Sequence, residues 1–274
     1  MKVLVMAGTS DAREIIKCLS RAGVWVLATA TTRHGTDLAL NSGADKILGG
    51  RFDSGQLVRI MKENNVQYLI DATHPFASLA TKHAIDASEN SEVDYIRFER
   101  PPSKIPDSQL LYKCSSFEEA THKIMDIKKG TKEGSLGNQF QGKILHLAGV
   151  NTLHYLTEMI SPHQIVARVL PSVYSLEKCL KMGIPHGNIV AMEGVFSKEF
   201  NKILMKEYQI DLVLTKESGD RGGFMLKIDA ALDLEIPVVI VMRPQIEELN
   251  GRRVFSDVKA LCEDVLSNLS IEKS

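Results

Sequence analysis

Short apolar runs, each followed by a small or polar turn and then a segment of helical periodicity, recur along this chain from its first residues onward. Lys2 to Met6 leads through Gly8-Thr9-Ser10-Asp11 into Ala12 to Arg21, which Gly23 closes. Runs this short suit buried strands, and the helical segments between them supply the crossovers that parallel strands require. Val24 to Ala30, Lys46 to Leu48, Tyr68 to Ile70 and Tyr95 to Phe98 continue the strand series. Helical patterns at Ser54 to Asn64 and Ala77 to Ser88 separate the later members. The pattern predicts an α/β fold of doubly wound type.

Three prolines in Arg100 to Asp107 interrupt the alternation and read as a linker. Beyond it, strands are expected at Ile144 to Leu147, Ile165 to Val169, Ile189 to Ala191, Leu212 to Leu214 and Val238 to Val241. Helices are expected at Thr152 to Met159, Tyr174 to Met182, Lys198 to Glu207, Phe224 to Leu232 and Asp257 to Leu269. The chain therefore divides into a nucleotide-binding lobe over 1–100, a linker over 101–112 and a second α/β lobe over 113–274. The polar, Gly-rich stretch Lys128 to Gln141 reads as a mobile loop.

Composition narrows the functions open to such a fold. A formal charge of -1, with no basic tract carrying interleaved aromatics, disfavours nucleic acid and acidic membrane as partners. No apolar run approaches the roughly 18 residues of a membrane span, and the opening apolar run is too short for a signal peptide. Cys18, Cys114, Cys179 and Cys262 form no C-x-x-C pair. Cys18, Cys179 and Cys262 read as reduced core thiols, which predicts a cytoplasmic setting.

In parallel sheets, ligands gather at the carboxyl ends of the strands, and the unusual residues of this sequence fall there. Gly8, Thr9 and Ser10 form a strand-to-helix turn whose free N–H groups suit a phosphate, with Ser10 or Asp11 as the expected helix cap. One Gly stands where a full dinucleotide fingerprint has three. After the second strand, Thr31-Thr32-Arg33-His34-Gly35 offers hydroxyls and Arg33 in place of the acid that grips a ribose 2′-hydroxyl, which favours NADPH over NADH.

Asp71-Ala72-Thr73-His74-Pro75 brings an acid, a hydroxyl and an imidazole to one strand end, with Pro75 expected in the first helical turn. Thr73 or His74 would face the cleft as hydrogen-bond donor or proton source. No second His or Cys lies at metal-ligand spacing from His74. In the second half, Thr215-Lys216-Glu217-Ser218-Gly219 ends a strand in a cation and a flexible turn suited to carboxylates or phosphate. Arg243 adds a cation at the last strand end. No G-x-S-x-G elbow, H-E-x-x-H pair or complete Walker lysine motif is present.

Taken in order and spacing, GTSDAR, DATHPFA, RFERP and TKESG with the following KIDAALDLEIPVVIVMRP resemble the precorrin-6A reductases of cobalamin biosynthesis over nearly the whole chain. The resemblance implies two Rossmann-like lobes, each a mainly parallel sheet with helices on both faces, and an interlobe cleft. It implies a reductase that moves a hydride from NADPH or NADH to one ring carbon of a tetrapyrrole, precorrin-6A or cobalt-precorrin-6A, with a proton added to the neighbouring carbon. Any cobalt would belong to the substrate, so no protein metal ligands are implied.

Carried onto this chain, Gly8, Thr9, Ser10 and Asp11 form the pyrophosphate turn and Arg33 meets the adenosine end. Asp71, Thr73, His74 and Pro75 line the nicotinamide and macrocycle region, with His74 as the candidate proton donor. Arg97, Arg100, Lys216, Ser218, Gly219 and Arg243 are implied as contacts to the peripheral carboxylates. The chain departs from the family pattern at Glu217, where an amide is usual, and at Asp220-Arg221. Two other readings stand beside this one: an NAD(P)-dependent oxidoreductase of another small molecule, and a non-catalytic ligand-sensing α/β module. Saturable hydride consumption separates the enzymes from the sensor.

Overall fold

In a computed structural model, described here for residues 1–130, 142–219 and 222–271, the chain forms two compact units. The first comprises Met1–Pro101 with Gln245–Ser274, and the second Pro102–Pro244. The C-terminal segment therefore belongs to the first unit, where the sequence reading had assigned it to the second. The expected linker is part of the second unit from Pro102 onward.

The first unit contains β1 (Lys2–Ala7), α1 (Ser10–Arg21), β2 (Trp25–Ala30), α2 (Arg33–Asn41), β3 (Lys46–Gly49), α3 (Ser54–Asn64), β4 (Tyr68–Ala72), α4 (Ser78–Glu89) and β5 (Asp94–Phe98). The second begins with β6 (Leu111–Cys114), α5 (Phe117–Gly130), β7 (Lys143–His146), α6 (Leu153–Thr157) and β8 (Ile165–Val169). It continues through α7 (Val173–Lys181), β9 (Ile189–Ala191), α8 (Lys198–Glu207), β10 (Ile210–Lys216), α9 (Phe224–Leu232) and β11 (Val238–Val241). The chain then returns to the first unit as β12 (Arg253–Phe255) and α10 (Val258–Ile271).

Each unit holds a six-stranded sheet, with orders β3-β2-β1-β4-β5-β12 and β9-β8-β7-β10-β11-β6. Every pairing is parallel. In both units five strands follow the doubly wound order, and the sixth comes from outside that run. β12 arrives after the whole second unit, and β6 precedes β7 in sequence. Backbone pairing anchors them: Arg253, Val254 and Phe255 align with Ile96, Arg97 and Phe98, and α10 buries Leu261, Cys262 and Val265 in the core that holds Ile15, Ile16 and Leu19.

The strands are buried on both faces, as parallel strands under helices must be. Alternation along β1 divides them: Val3 and Val5 join the α1/α10 core, whereas Leu4 and Met6 join Leu57, Met61 and Ile85 on the α3/α4 side. In the second unit Leu145, Val166 and Val213 pack with Leu204, Met205, Phe224 and Ile228 of α8 and α9. Each such side chain contributes about 1.5–3 kcal/mol of transfer free energy.

The sequence reading had not placed β6, β12, α2 or α5. Of the stretch read as a loop, Lys128 to Gly130 end α5 and the remainder to Gln141 lies outside the described residues. Asp220, Arg221 and residues 272–274 also lie outside them. Cys114, Cys179 and Cys262 are buried free thiols, while Cys18 is partly exposed. Among the described residues no helix is long and apolar enough to cross a membrane.

Candidate functional site

The order of the first sheet reverses between β1 and β4, so the loops leaving those strands diverge there and open a crevice. Both sharp motifs of the first half sit at this point. A Cβ built on Gly8 would stand 3.9 Å from Thr73 Cα and from His74 N, so the backbone of the first turn and that of the loop after β4 approach closely at the crevice. Thr9, in extended backbone, caps α1: its Oγ1 accepts from Ala12 N at 3.1 Å and donates to the Ala72 carbonyl at 3.0 Å. One hydroxyl thus fixes the helix start and ties it to the neighbouring strand end.

This corrects the expected cap, Ser10 or Asp11. Asp11 is instead buried and ion-paired with Arg100, whose Nη2 also donates to Ser10 Oγ at 3.1 Å. Arg100 therefore belongs to the first turn of α1. The resemblance had implied a carboxylate contact for it; in the fold its ion pair with Asp11 holds it at the start of α1. At the end of β2, Thr32 caps α2 by accepting from Gly35 N at 3.0 Å. Arg33 is the first residue of that helix, and its side chain lies outside what is described.

Asp71 and Arg97 are wholly excluded from solvent, so neither touches a solute directly. Asp71 Oδ1 accepts from Thr73 N at 3.0 Å, from Thr73 Oγ1 at 2.7 Å and from Arg97 Nη1 at 2.9 Å, while Tyr95 OH donates to Oδ2 at 3.0 Å. Arg97 donates further to Thr73 O at 3.2 Å and, through Nη2, to Glu99 at 2.9 Å. Burial works against the Arg97 charge, but the carboxylates of Asp71 and Glu99 outweigh it and raise its pKa. Burial first, then Asp71, holds the Tyr95 phenol protonated. Asp71 and Arg97, named as site residues from the sequence, thus lie in the interior and hold the Thr73 loop through hydrogen bonds.

His74 is half-buried beside this network. Its Nδ1 accepts from Phe76 N at 3.2 Å, and its carbonyl accepts from Ala77 N at 2.8 Å. With Nδ1 accepting, the ring proton resides on Nε2, and His74 presents an N–H donor. Pro75 lies in this turn and not in the helix, because α4 begins only at Ser78.

The second sheet reverses between β7 and β10, and Lys216 ends β10 there. The fully buried Glu217 organises the turn that follows: Oε1 accepts from Ser103 N at 3.1 Å, Gly219 N at 3.0 Å and Arg243 Nη2 at 3.2 Å, and Arg243 Nε closes on Oε2. Gly219 has φ of +78°, with Arg243 Nη2 3.3 Å from where a Cβ would stand. Arg243, expected as a substrate contact, is thus engaged by an internal carboxylate. Glu217, which the sequence reading treated as a departure from pattern, is the anchor of the turn. Ser218 remains half-buried beside Lys216.

Cations gather around this edge. Burial pushes Lys216 down to about 8. Burial, with Arg168 and Lys216 adding repulsion, takes Lys227 of α9 to about 8. Burial lowers Arg168, on β8, to about 10. His146, ending β7, is fully buried with Nε2 3.2 Å from Thr152 Oγ1, and burial followed by Lys216 takes it to about 3. Sequence reasoning missed Arg168, Lys227 and Tyr95. The available signal was a charge inside an apolar strand: Arg168 within Ile165–Val169 resembles Arg97 within Asp94–Phe98. Among the described residues no group of three or more His, Cys, Asp or Glu is arranged to hold a metal ion.

The family model for precorrin-6x reductase CbiJ/CobK matches residues 2–265. The cobalt-precorrin-6A reductase of Methanothermobacter thermautotrophicus is 44% identical over 273 residues, covering 98% of this chain and 85% of the relative. That of Priestia megaterium is 34% identical, covering 93% and 96%, and the precorrin-6A reductase of Rhodococcus erythropolis is 27% identical, covering 89% of each. The solved structure of CobK precorrin-6A reductase superposes with a TM-score of 0.73 at 19% identity, over 97% of both chains, which shows the shared fold. The match through both units, with the two switch-point turns inside it, establishes that this chain belongs to the precorrin-6x reductase family.

Proposed function

We infer that this protein reduces one ring double bond of precorrin-6A or its cobalt-containing form, a step of cobalamin biosynthesis, using a reduced nicotinamide cofactor. The family match through 2–265, combined with the Gly8 crevice beside Thr73 and His74, carries this reading.

The residues present fit such a cofactor. The first turn of α1 supplies backbone amides at the positive end of a helix dipole, with Arg100 against Ser10 as an adjoining cation. Gly8, Thr9 and Ser10 would hold the pyrophosphate, and Arg33 would meet the adenosine end. The nicotinamide supplies a hydride when bound. Thr73, fixed by Asp71 and Arg97, and His74, with Nε2–H as donor, would orient the reacting groups. With His74 Nδ1 committed to Phe76 N–H, water is the favoured source of the proton that balances the hydride. Lys216 and Ser218 would hold peripheral carboxylates of the macrocycle.

The test is the loss of reduced-nicotinamide absorbance on adding the purified protein to cobalt-precorrin-6A, with NADH and NADPH in parallel. Substrate-dependent consumption is expected, and the preferred cofactor assigns Arg33: faster turnover with NADPH makes it a 2′-phosphate contact. No consumption of either cofactor with intact substrate would remove the reductase reading.

A further inference from the structure

Burying a cation costs free energy, and gathering several costs more, unless something anionic joins them. The C-terminal edge of the second sheet gathers such cations on separate elements: Arg168 on β8, Lys216 at the end of β10 and Lys227 in α9. All three are half-buried, so each keeps a route to solvent. Arg168 shares a face of β8 with Val166, which packs with Leu204 and Met205 of α8 and with Phe224 and Ile228 of α9, so Arg168 and Lys227 lie in the same layer against the sheet.

Among the described residues, Arg168 and Lys227 bond to neutral partners. Arg168 Nη1 donates to Asn201 Oδ1 at 2.9 Å, and its guanidinium lies 5.4 Å from the Phe196 ring centroid. Lys227 Nζ donates to the Gly222 carbonyl at 3.0 Å. Asn201 is itself fixed, donating to the carbonyls of Phe196 and Ser197 at 3.2 and 2.8 Å, so it holds the guanidinium in place. An oriented, planar guanidinium beside an ammonium is the donor set that recognises a carboxylate.

We propose that Arg168 and Lys227 form a carboxylate-binding subsite that holds an acidic side chain of the macrocycle and so determines substrate affinity. The proposal rests on the reductase reading and extends it to residues that the sequence motifs did not reveal. Arg168 acts as the directional clamp and Lys227 as the flexible second charge, while Asn201 positions Arg168.

The test compares wild-type protein with Arg168→Met, Lys227→Met, the conservative Arg168→Lys, and Lys206→Met as an exposed control on α8. Thermal unfolding first verifies that each variant is folded. In steady-state reduction of cobalt-precorrin-6A, each Met variant should raise the macrocycle KM about 10- to 100-fold, as expected for loss of a charge-assisted hydrogen bond. The nicotinamide KM and Lys206→Met should stay at wild-type values, with Arg168→Lys intermediate. A rise in the nicotinamide KM alone, or no change in either KM, would overturn the subsite while leaving the reductase reading intact. A calorimetric titration with tricarballylate provides a readout independent of turnover. Binding by wild type that both Met variants lose supports the subsite even if reduction fails, and equal binding by all, or by none, overturns it.

Discussion

Arg97 and Asp71 sit opposite each other in the pairing of β5 with β4, and their side chains form a solvent-excluded ion pair of 2.9 Å. Asp71 spends its remaining hydrogen-bonding capacity on Thr73 and Tyr95, so the pair is the foundation of the loop that lines the crevice. Removing one partner should therefore cost far more than removing both. Arg97→Met is expected to destabilise the protein by about 3–5 kcal/mol through the stranded carboxylate, and the double variant Asp71→Leu/Arg97→Met by less. Urea unfolding of the single and double variants checks this, and strictly additive losses would contradict it.

Thr9 serves two elements with one hydroxyl. Thr9→Ala should lose about 1 kcal/mol as a missing cap, and raise the nicotinamide KM because the first turn of α1 is no longer tied to Ala72. Thr9→Ser should restore both values, and Ser10→Ala should leave stability nearly unchanged. Denaturation midpoints and steady-state kinetics on the three variants test the assignment. Equal loss in Thr9→Ala and Ser10→Ala would return the cap to Ser10.

His74 is expected to act as a neutral hydrogen-bond donor. His74→Gln, which retains an N–H, should keep most of kcat, whereas His74→Ala should lower it about tenfold. Neither should remove a limb of the kcat–pH profile. Loss of a limb near neutrality in His74→Ala would instead identify the imidazolium as the proton donor.

His146 predicts an acid-side stability change. Its folded pKa of about 3 lies below the ordinary imidazole value, so the unfolded chain binds the extra proton between the two. The stabilisation is complete above pH of about 6.5 and is lost as pH falls toward 3, by up to about 1.4 kcal/mol per pH unit. His146→Gln should flatten that slope. Urea unfolding at pH of about 7.5 and about 4.5 reads it, and an unchanged gap between the two pH values would assign the dependence elsewhere.

The glycine and hydroxyl turns were legible in the sequence because the chemistry of a strand-to-helix turn is local. The caps of Thr9 and Thr32 and the turn at Gly219 are each made within a few residues of their own position, whereas the bond from Thr9 to Ala72 is not local. Arg97 and Arg243 were legible as cations at strand ends, but not as to what they face. Their partners, Asp71 and Glu217, lie 26 residues away in each case, and that distance closes only when strands pair. Glu217 illustrates the point: read alone it is an acid in a binding turn, while in the fold it is the acceptor that shapes the turn.

By itself, the sequence determined the α/β class, most strands and helices, the family and the switch-point motifs, since these depend on periodicity and turn chemistry a few residues long. Tertiary structure decided that β12 and α10 complete the first sheet and its core, that β6 joins β11 at the edge of the second, and that Asp71, Arg97 and Glu217 are interior supports. It also set Arg168 on the face of β8 that packs against α8 and α9, the layer that carries Lys227. The physical reason is common to all of these: parallel pairing and buried charge compensation are long-range choices, fixed by which edge and which counter-charge the folded chain brings within hydrogen-bonding reach.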